Sequence, residues 1–221
     1  MAKKKQKHKI EIVDLVYGII ESILFVMMSF IAIQLLKNFT ILRAGYAQGI
    51  FLDLLILIII ALLSLLIHPK VRTILLMLIF FCICCGCIHE NTYYATYSSF
   101  SPMLYSSTDE VTFATYFSEE TINTTLIYIF MMFIYIINII PLFITFICTK
   151  KKGMKINILI PILSLVCFGL FLFLVSMSYD ENDWSIFYKF WNREYIVEKF
   201  GVITYWIDDA YQSGNVIIKK S

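Results

Sequence analysis

Charge is what this sequence has least of. Only 15% of its 221 residues are charged, against about 25% in soluble globular domains, while 60% are hydrophobic and the mean hydropathy is +0.80. That scarcity excludes an ordinary water-soluble domain, a disordered chain and a nucleic-acid binder driven by bulk charge. Histidine is sparse too: the three copies, His8, His68 and His89, stand at the ends of apolar runs or in the basic start. No H-E-x-x-H helix, P-loop, dinucleotide glycine fingerprint or G-x-S-x-G turn occurs. Paired carboxylates such as Glu119-Glu120 and Asp208-Asp209 are neighbours in sequence, which seldom converge on one ion. Nothing assembles a nucleophile, a base and an electrophile. The residues therefore predict a non-catalytic chain without a resident cofactor or metal. None of the six cysteines suggests an extracellular disulfide framework.

Lysine and arginine are missing from one whole stretch. The 33 residues His89–Thr121 hold five acids (Glu90, Asp109, Glu110, Glu119, Glu120) and no base. What is abundant is apolar length. A bilayer core of about 30 Å needs roughly 20 apolar residues at about 1.5 Å rise each. Five runs meet this: Tyr17–Leu36, Ile50–Ile67, Val71–Ile88, Ile122–Cys148 and Ile156–Met177. The second and third are separated by His68-Pro69-Lys70, where a proline and a charge make a helical hairpin the better reading than one long helix. The fold expected is an all-α membrane protein of five transmembrane helices, with an outer aromatic loop at 89–121.

Basic residues orient it. Five lysines in the start, Lys70 and Arg72 in the hairpin turn, and four lysines around 150–155 fall on one side if all five runs span, 11 bases against Glu11 and Asp14. That side is read as cytoplasmic, with residues 1–16 as a basic cytoplasmic start, 17–177 as the membrane domain and 178–221 outside. The expected location is a plasma membrane crossed several times. The lysine-rich start does not look like a cleaved signal, because the apolar run after it is too long and no small-residue cleavage site follows.

Three local features invite chemistry. Glu21 lies about one turn inside the first run and Asp53 near the outer end of the second. Intramembrane carboxylates are functional candidates by default, but interface-level ion pairs explain both, with Lys37 or Arg43 as the partner of Asp53. Pro141 and Pro161 predict kinks in the last two runs. Cys82, Cys84, Cys85 and Cys87 offer interleaved C-x-x-C spacings that suit zinc or copper(I). On one apolar helix, however, their sulfurs point to different faces and their thiols resist ionisation, so packing between helices is the plainer role.

Outside the spans, the loop carries Tyr93, Tyr94, Tyr97, Phe100, Tyr105, Phe113, Tyr116 and Phe117. Such rings favour the head-group level, which predicts a partly helical loop folded onto the outer surface; sugar stacking or lipid head-group recognition is the sharper alternative. Residues Ser185 to Phe200 read as one amphipathic juxtamembrane helix ended by Gly201, with a polar tail from there to Ser221. Arg43, Lys189 and Arg193 are the candidate contacts for a lipid phosphate.

One motif is more specific. Trp191-Asn192-Arg193-Glu194-Tyr195-Ile196-Val197-Glu198-Lys199-Phe200-Gly201, with Tyr205 and Asp208-Asp209 after it, resembles the juxtamembrane segment of lipoteichoic acid synthase-type phosphoglycerol transferases of the sulfatase-like family. Glu90-Asn91-Thr92-Tyr93-Tyr94 and Ser98-Ser99-Phe100 are similar to that family's segment after the third span. The resemblance implies an activity for the parent enzymes: transfer of glycerol phosphate from phosphatidylglycerol to a lipoteichoic acid chain in a Gram-positive cell envelope. It also implies a sulfatase-like catalytic domain with a threonine nucleophile and a divalent metal, usually manganese. No catalytic or metal residue of that domain matches here, so the chain is expected to be the membrane-anchoring half, with membrane lipids and such a domain, in cis or in trans, as partners. The alternative is a small standalone polytopic protein acting as a transporter component or accessory partner; no internal repeat of the transporter kind is visible.

Overall fold

The computed structural model describes residues 2–40, 47–101, 118, 121–148 and 192–220, with positions 162, 166, 169 and 173 in addition. Among these residues the chain is helical, in the order α1 (Ala2–Thr40), α2 (Ala47–Ser64), α3 (Pro69–Tyr97), α4 (Ile122–Cys148), α5 (Arg193–Phe200) and α6 (Val202–Lys220), with no strand. Among the described residues, three stretches are long and apolar enough to cross a membrane: Val16–Thr40, Pro69–Tyr97 and Ile122–Pro141. Gly49–Ser64 is also apolar but shorter. The fifth run, 156–177, lies almost wholly outside the described residues.

The break between α2 and α3 is dictated by local residues. After Ser64 the amides of Leu65, Leu66 and Ile67 bond three residues back rather than four, so the helix tightens and stops. His68 takes ψ 134°, the extended value a residue before proline requires, and Pro69 opens α3 where its missing N–H leaves no bond unmade. The His68 carbonyl then accepts from the amides of Val71 and Arg72. The expected separation into two helices is present at the expected place.

From Val16 on, helices α1 to α4 are apolar over most of their outer as well as their inner surface. Helix α1 packs on α2, α3 and α4, and α3 packs on α4. Their shared core holds Phe25, Ile33, Leu36, Leu57, Leu76, Phe80, Tyr128 and Tyr135. The Tyr135 ring lies 4.3 Å from that of Phe80, and the Tyr128 hydroxyl reaches the Ala32 carbonyl at 3.4 Å. Facing outward are Ile23, Met27, Phe51, Leu78, Phe130, Phe133 and Ile137. In water these residues would form a costly patch; a helix apolar on all sides suits a lipid phase.

Several expectations are corrected. In the stretch expected to form a partly helical loop from residue 89, α3 continues to Tyr97 and ends at Ser98, whose φ of 53° turns the chain while its amide bonds the Tyr94 carbonyl at 2.8 Å. Residues 102–117 of that loop lie outside the described residues. The juxtamembrane helix does not run unbroken from Ser185: Asn192 is extended and accepts from the Tyr195 amide at 3.0 Å, which starts a new helix there. Beyond Gly201 the chain is not a polar tail but a second helix, α6. Inside α4, Pro141 is accommodated within the helix, and Asn138 donates its Nδ2 to the Ile134 carbonyl at 2.8 Å.

Candidate functional site

Buried charge on an apolar bundle must find a partner, because an isolated ion inside costs several kcal/mol even after relaxation. Both carboxylates read from the sequence as intramembrane candidates do so, in different ways. Glu21 on α1 is fully buried, and its Oε2 accepts from Arg72 Nε of α3 at 2.8 Å. Sequence places Arg72 on the basic flank and Glu21 at a wet interface; both are inside the protein instead. The guanidinium lies against Gly18, where an added Cβ would meet its Nη1 at 2.8 Å. A small residue one turn before Glu21 therefore makes room for the arginine.

Asp53 on α2 is the junction of three helices. Its Oδ2 accepts from Lys37 Nζ of α1 at 2.8 Å, one of the two pairings the sequence offers. The same carboxylate also accepts from the α6 amides of Val202, at 3.2 Å to Oδ2, and Ile203, at 3.0 Å to Oδ1. The first amides of a helix have no partner within it and carry partial positive charge. Asp53 thus caps α6 from another element, as an anion at a helix N-terminus.

Two glycines allow this approach. A Cβ at Gly49 would stand 2.3 Å from the Glu198 carbonyl oxygen, and one at Gly201 would stand 2.6 Å from Asp53 Oδ1. Gly201 also has φ 88°, which a side chain would strain, so it both ends α5 and admits the carboxylate. Helix α5 buries Ile196, Val197 and Phe200, and packs on α2. The reach of Lys37 extends to this helix: burial and then Glu194 push the Glu198 carboxyl up, and Lys37 opposes them.

A second cluster fastens the same helices to the end of α3. Glu90, fully buried, accepts from the Ser101 amide at 2.9 Å, the Ser101 hydroxyl at 2.9 Å and Trp206 Nε1 at 3.2 Å. The Tyr205 hydroxyl donates to the Ser101 carbonyl. Burial, then the charges of Glu90 and Asp209, hold that phenol above its ordinary range, so it stays protonated and can donate. Arg193 Nη1 donates to the Phe100 carbonyl at 2.9 Å, and the Tyr94 hydroxyl donates to Glu194 Oε1 at 3.3 Å. Phe100 packs between Tyr94 and Tyr205, with ring centroids at 5.5 and 5.9 Å.

Of the residues singled out from sequence, Asp53 and Gly201 come together, and Glu21 stands apart from them with Arg72. Arg193 is half-buried with one donor on a backbone carbonyl. Tyr195 and Lys199 meet along α5, the ammonium 5.7 Å from the ring centroid. Arg43, Lys189 and Trp191 lie outside the described residues. The four clustered cysteines split, Cys84 and Cys87 buried and Cys82 and Cys85 exposed. Sequence reasoning missed Gly49, Glu90, Ser101 and Trp206 as partners. A glycine at the threshold of an apolar run, in a helix start that does not require one, was the available signal for Gly49.

This is fastening chemistry: carboxylates gathering amides, a hydroxyl and cations from separate helices. Among the described residues no three His, Cys, Asp or Glu side chains gather to hold a metal ion. The manganese that the resemblance implies for a catalytic domain therefore does not fit these residues. Comparison with protein families, curated proteins and solved structures finds no match for this chain.

Proposed function

We propose that this chain is a five-span membrane platform, of the lipoteichoic acid synthase-type layout, that positions a phosphoglycerol transferase domain at the outer face of a plasma membrane. One observation supports it most: Asp53 joins the α5–α6 junction to both α1 and α2 through one ammonium and two amides. A platform must hold its cargo domain at a fixed height and tilt above the last span. A helix pair capped by a buried carboxylate of the bundle supplies that. The two segments whose residues resemble the family also touch each other, through Arg193 and Phe100, Tyr94 and Glu194, and Tyr205 and Phe100.

The carboxylates argue against the transporter alternative. Each is held by a cation of a neighbouring helix, whereas a relay needs groups able to change partners. In this reading the basic start faces the cytoplasm and α5–α6 face outward, with phosphatidylglycerol as the lipid nearby and Arg43, Lys189 and Arg193 as its candidate phosphate contacts. The test uses cells that lack their lipoteichoic acid synthase. The full chain, supplied with a sulfatase-like phosphoglycerol transferase domain fused or co-expressed, is expected to restore polymer, and the chain alone is not. No polymer with both parts would overturn the platform reading, and polymer from the chain alone would overturn its non-catalytic character.

A further inference from the structure

Helix α6 leaves an apolar face uncovered. Its buried side holds Val202, Ile203, Tyr205 and the carboxylate of Asp209, and Asp208 is half-buried. Its open side holds Ile207, exposed over 60% of its surface, Tyr211, over 69%, and Ala210 between them. Positions 207, 210 and 211 fall three and four residues apart, on one face. A surface helix in water turns its acids out and leaves few large apolar groups open; this one buries Asp209 and leaves Ile207 and Tyr211 uncovered.

Every other large hydrophobic side chain exposed among the described residues belongs to the apolar helices α1 to α4, or to positions 162, 166 and 173 of the fifth apolar run. Ile207 and Tyr211 are the exceptions, on a helix of mixed composition. The helix that carries them is anchored beside that belt. The first turn of α6 is bonded to Asp53, two residues from the outward-facing Phe51, and through it to Lys37, two residues from the exposed Phe39. Helix α6 therefore starts at the level where the apolar surface of the bundle ends.

We propose that α6 lies against the head-group region of the bilayer, with Ile207, Ala210 and Tyr211 seated in lipid. Tyr211 suits that depth, its ring apolar and its hydroxyl able to meet water and ester oxygens. The face bears no charge, so it needs no anionic lipid, and apolar area supplies the attraction. The inward acids accord with the same arrangement, since a carboxylate on the lipid side would be costly. This rests on reading the apolar helices as membrane-embedded and is independent of what the platform positions.

The test places a photoreactive benzophenone amino acid at position 207, 211, 78 or 70 of the full chain in phosphatidylcholine vesicles, with mass analysis of the adducts. Leu78 reports the bundle's apolar surface and Lys70 the exposed first turn of α3. Phosphatidylcholine adducts at 207 and 211 are expected within about twofold of the yield at 78 and at least ~10-fold above that at 70. Lipid adducts at 78 with none at 207 and 211 would overturn the proposal. So would cross-links from 207 and 211 to a second copy of the chain. Absence of lipid adducts at 78 as well would overturn the membrane reading beneath it.

Discussion

The two ends of the helical bundle solve one problem with different consequences. At one end Glu21 and Arg72 neutralise each other between α1 and α3, and Oε1 of the carboxylate has no hydrogen-bond partner. At the other, Asp53 takes an ammonium and two helix-starting amides, and leaves neither oxygen idle. The first pair ties one span to another. The second ties apolar helices to the α5–α6 pair beyond them. A buried ion pair by itself is weak evidence of stabilisation, because desolvation offsets attraction. What distinguishes the Asp53 end is the additional bonding that a hydrophobic replacement could not supply.

The largest expected effect separates these roles. Arg72→Met leaves the Glu21 carboxylate buried without its cation and should cost about 3–5 kcal/mol in reversible unfolding in mixed micelles. Adding Glu21→Leu should recover all but about 1 kcal/mol, since the pair can be exchanged for apolar contact. Lys37→Met should cost a similar amount, but adding Asp53→Leu should leave about 1–2 kcal/mol unrecovered, because the α6 amides lose their cap. Amide exchange at Val202 and Ile203 should accelerate only in the Asp53 variants. Full recovery at both ends, with unchanged exchange, would erase the difference between them.

A smaller effect tests whether shape alone can undo the Asp53 end. Gly201→Ala and Gly49→Ala keep every charge, yet each sets a Cβ where a carboxylate or a carbonyl now lies. Each should cost about 1–3 kcal/mol, from overpacking and, at Gly201, from its positive φ. Protease cleavage should rise in α5–α6 while the bundle stays folded. Gly18→Ala is the matching change at the Glu21 end; it meets the tip of a flexible arginine and should cost less. Equal losses at positions 18 and 49 would show that the close backbone approach is not special.

How much of this is legible in advance depends on how far apart the partners are. The Lys37–Asp53 pairing is legible because both residues flank one short connection. The hairpin break is legible because proline dictates the conformation of its neighbour. Arg72 misleads because a base beside an apolar run looks like a membrane flank; only the packing of α3 on α1 shows which way it points. The capping of α6 by Asp53 spans 149 residues of sequence, and no local pattern announces it. Helix α6 reads as a polar tail because Asp208, Asp209, Gln212, Ser213 and Asn215 interrupt its apolar residues, whereas its outward face at 207, 210 and 211 shows only once its inner face is known. Gly201 is recognisable as a helix terminator, but its second role, admitting the Asp53 carboxylate, belongs to a neighbour that sequence does not reveal.

The smallest effect concerns the bond between α6 and the end of α3. Tyr205→Phe removes the hydroxyl that donates to the Ser101 carbonyl and leaves the ring beside Phe100 in place. A single neutral hydrogen bond contributes about 0.5–1.5 kcal/mol net, so the loss should fall within that range. Glu90 keeps its three donors, two from Ser101 and one from Trp206, and the segment therefore has other ties to α6. Faster amide exchange at Ser101, with exchange at Val202 and Ile203 unchanged, is the expected pattern. It would mean that Asp53 holds the start of α6 on its own and that the Glu90 cluster only trims its position. Simultaneous loosening at Ser101 and at the Asp53 cap would instead join the two attachments into one cooperative unit, and the contrast would then lie between a single assembly at that end and the Glu21–Arg72 pair at the other.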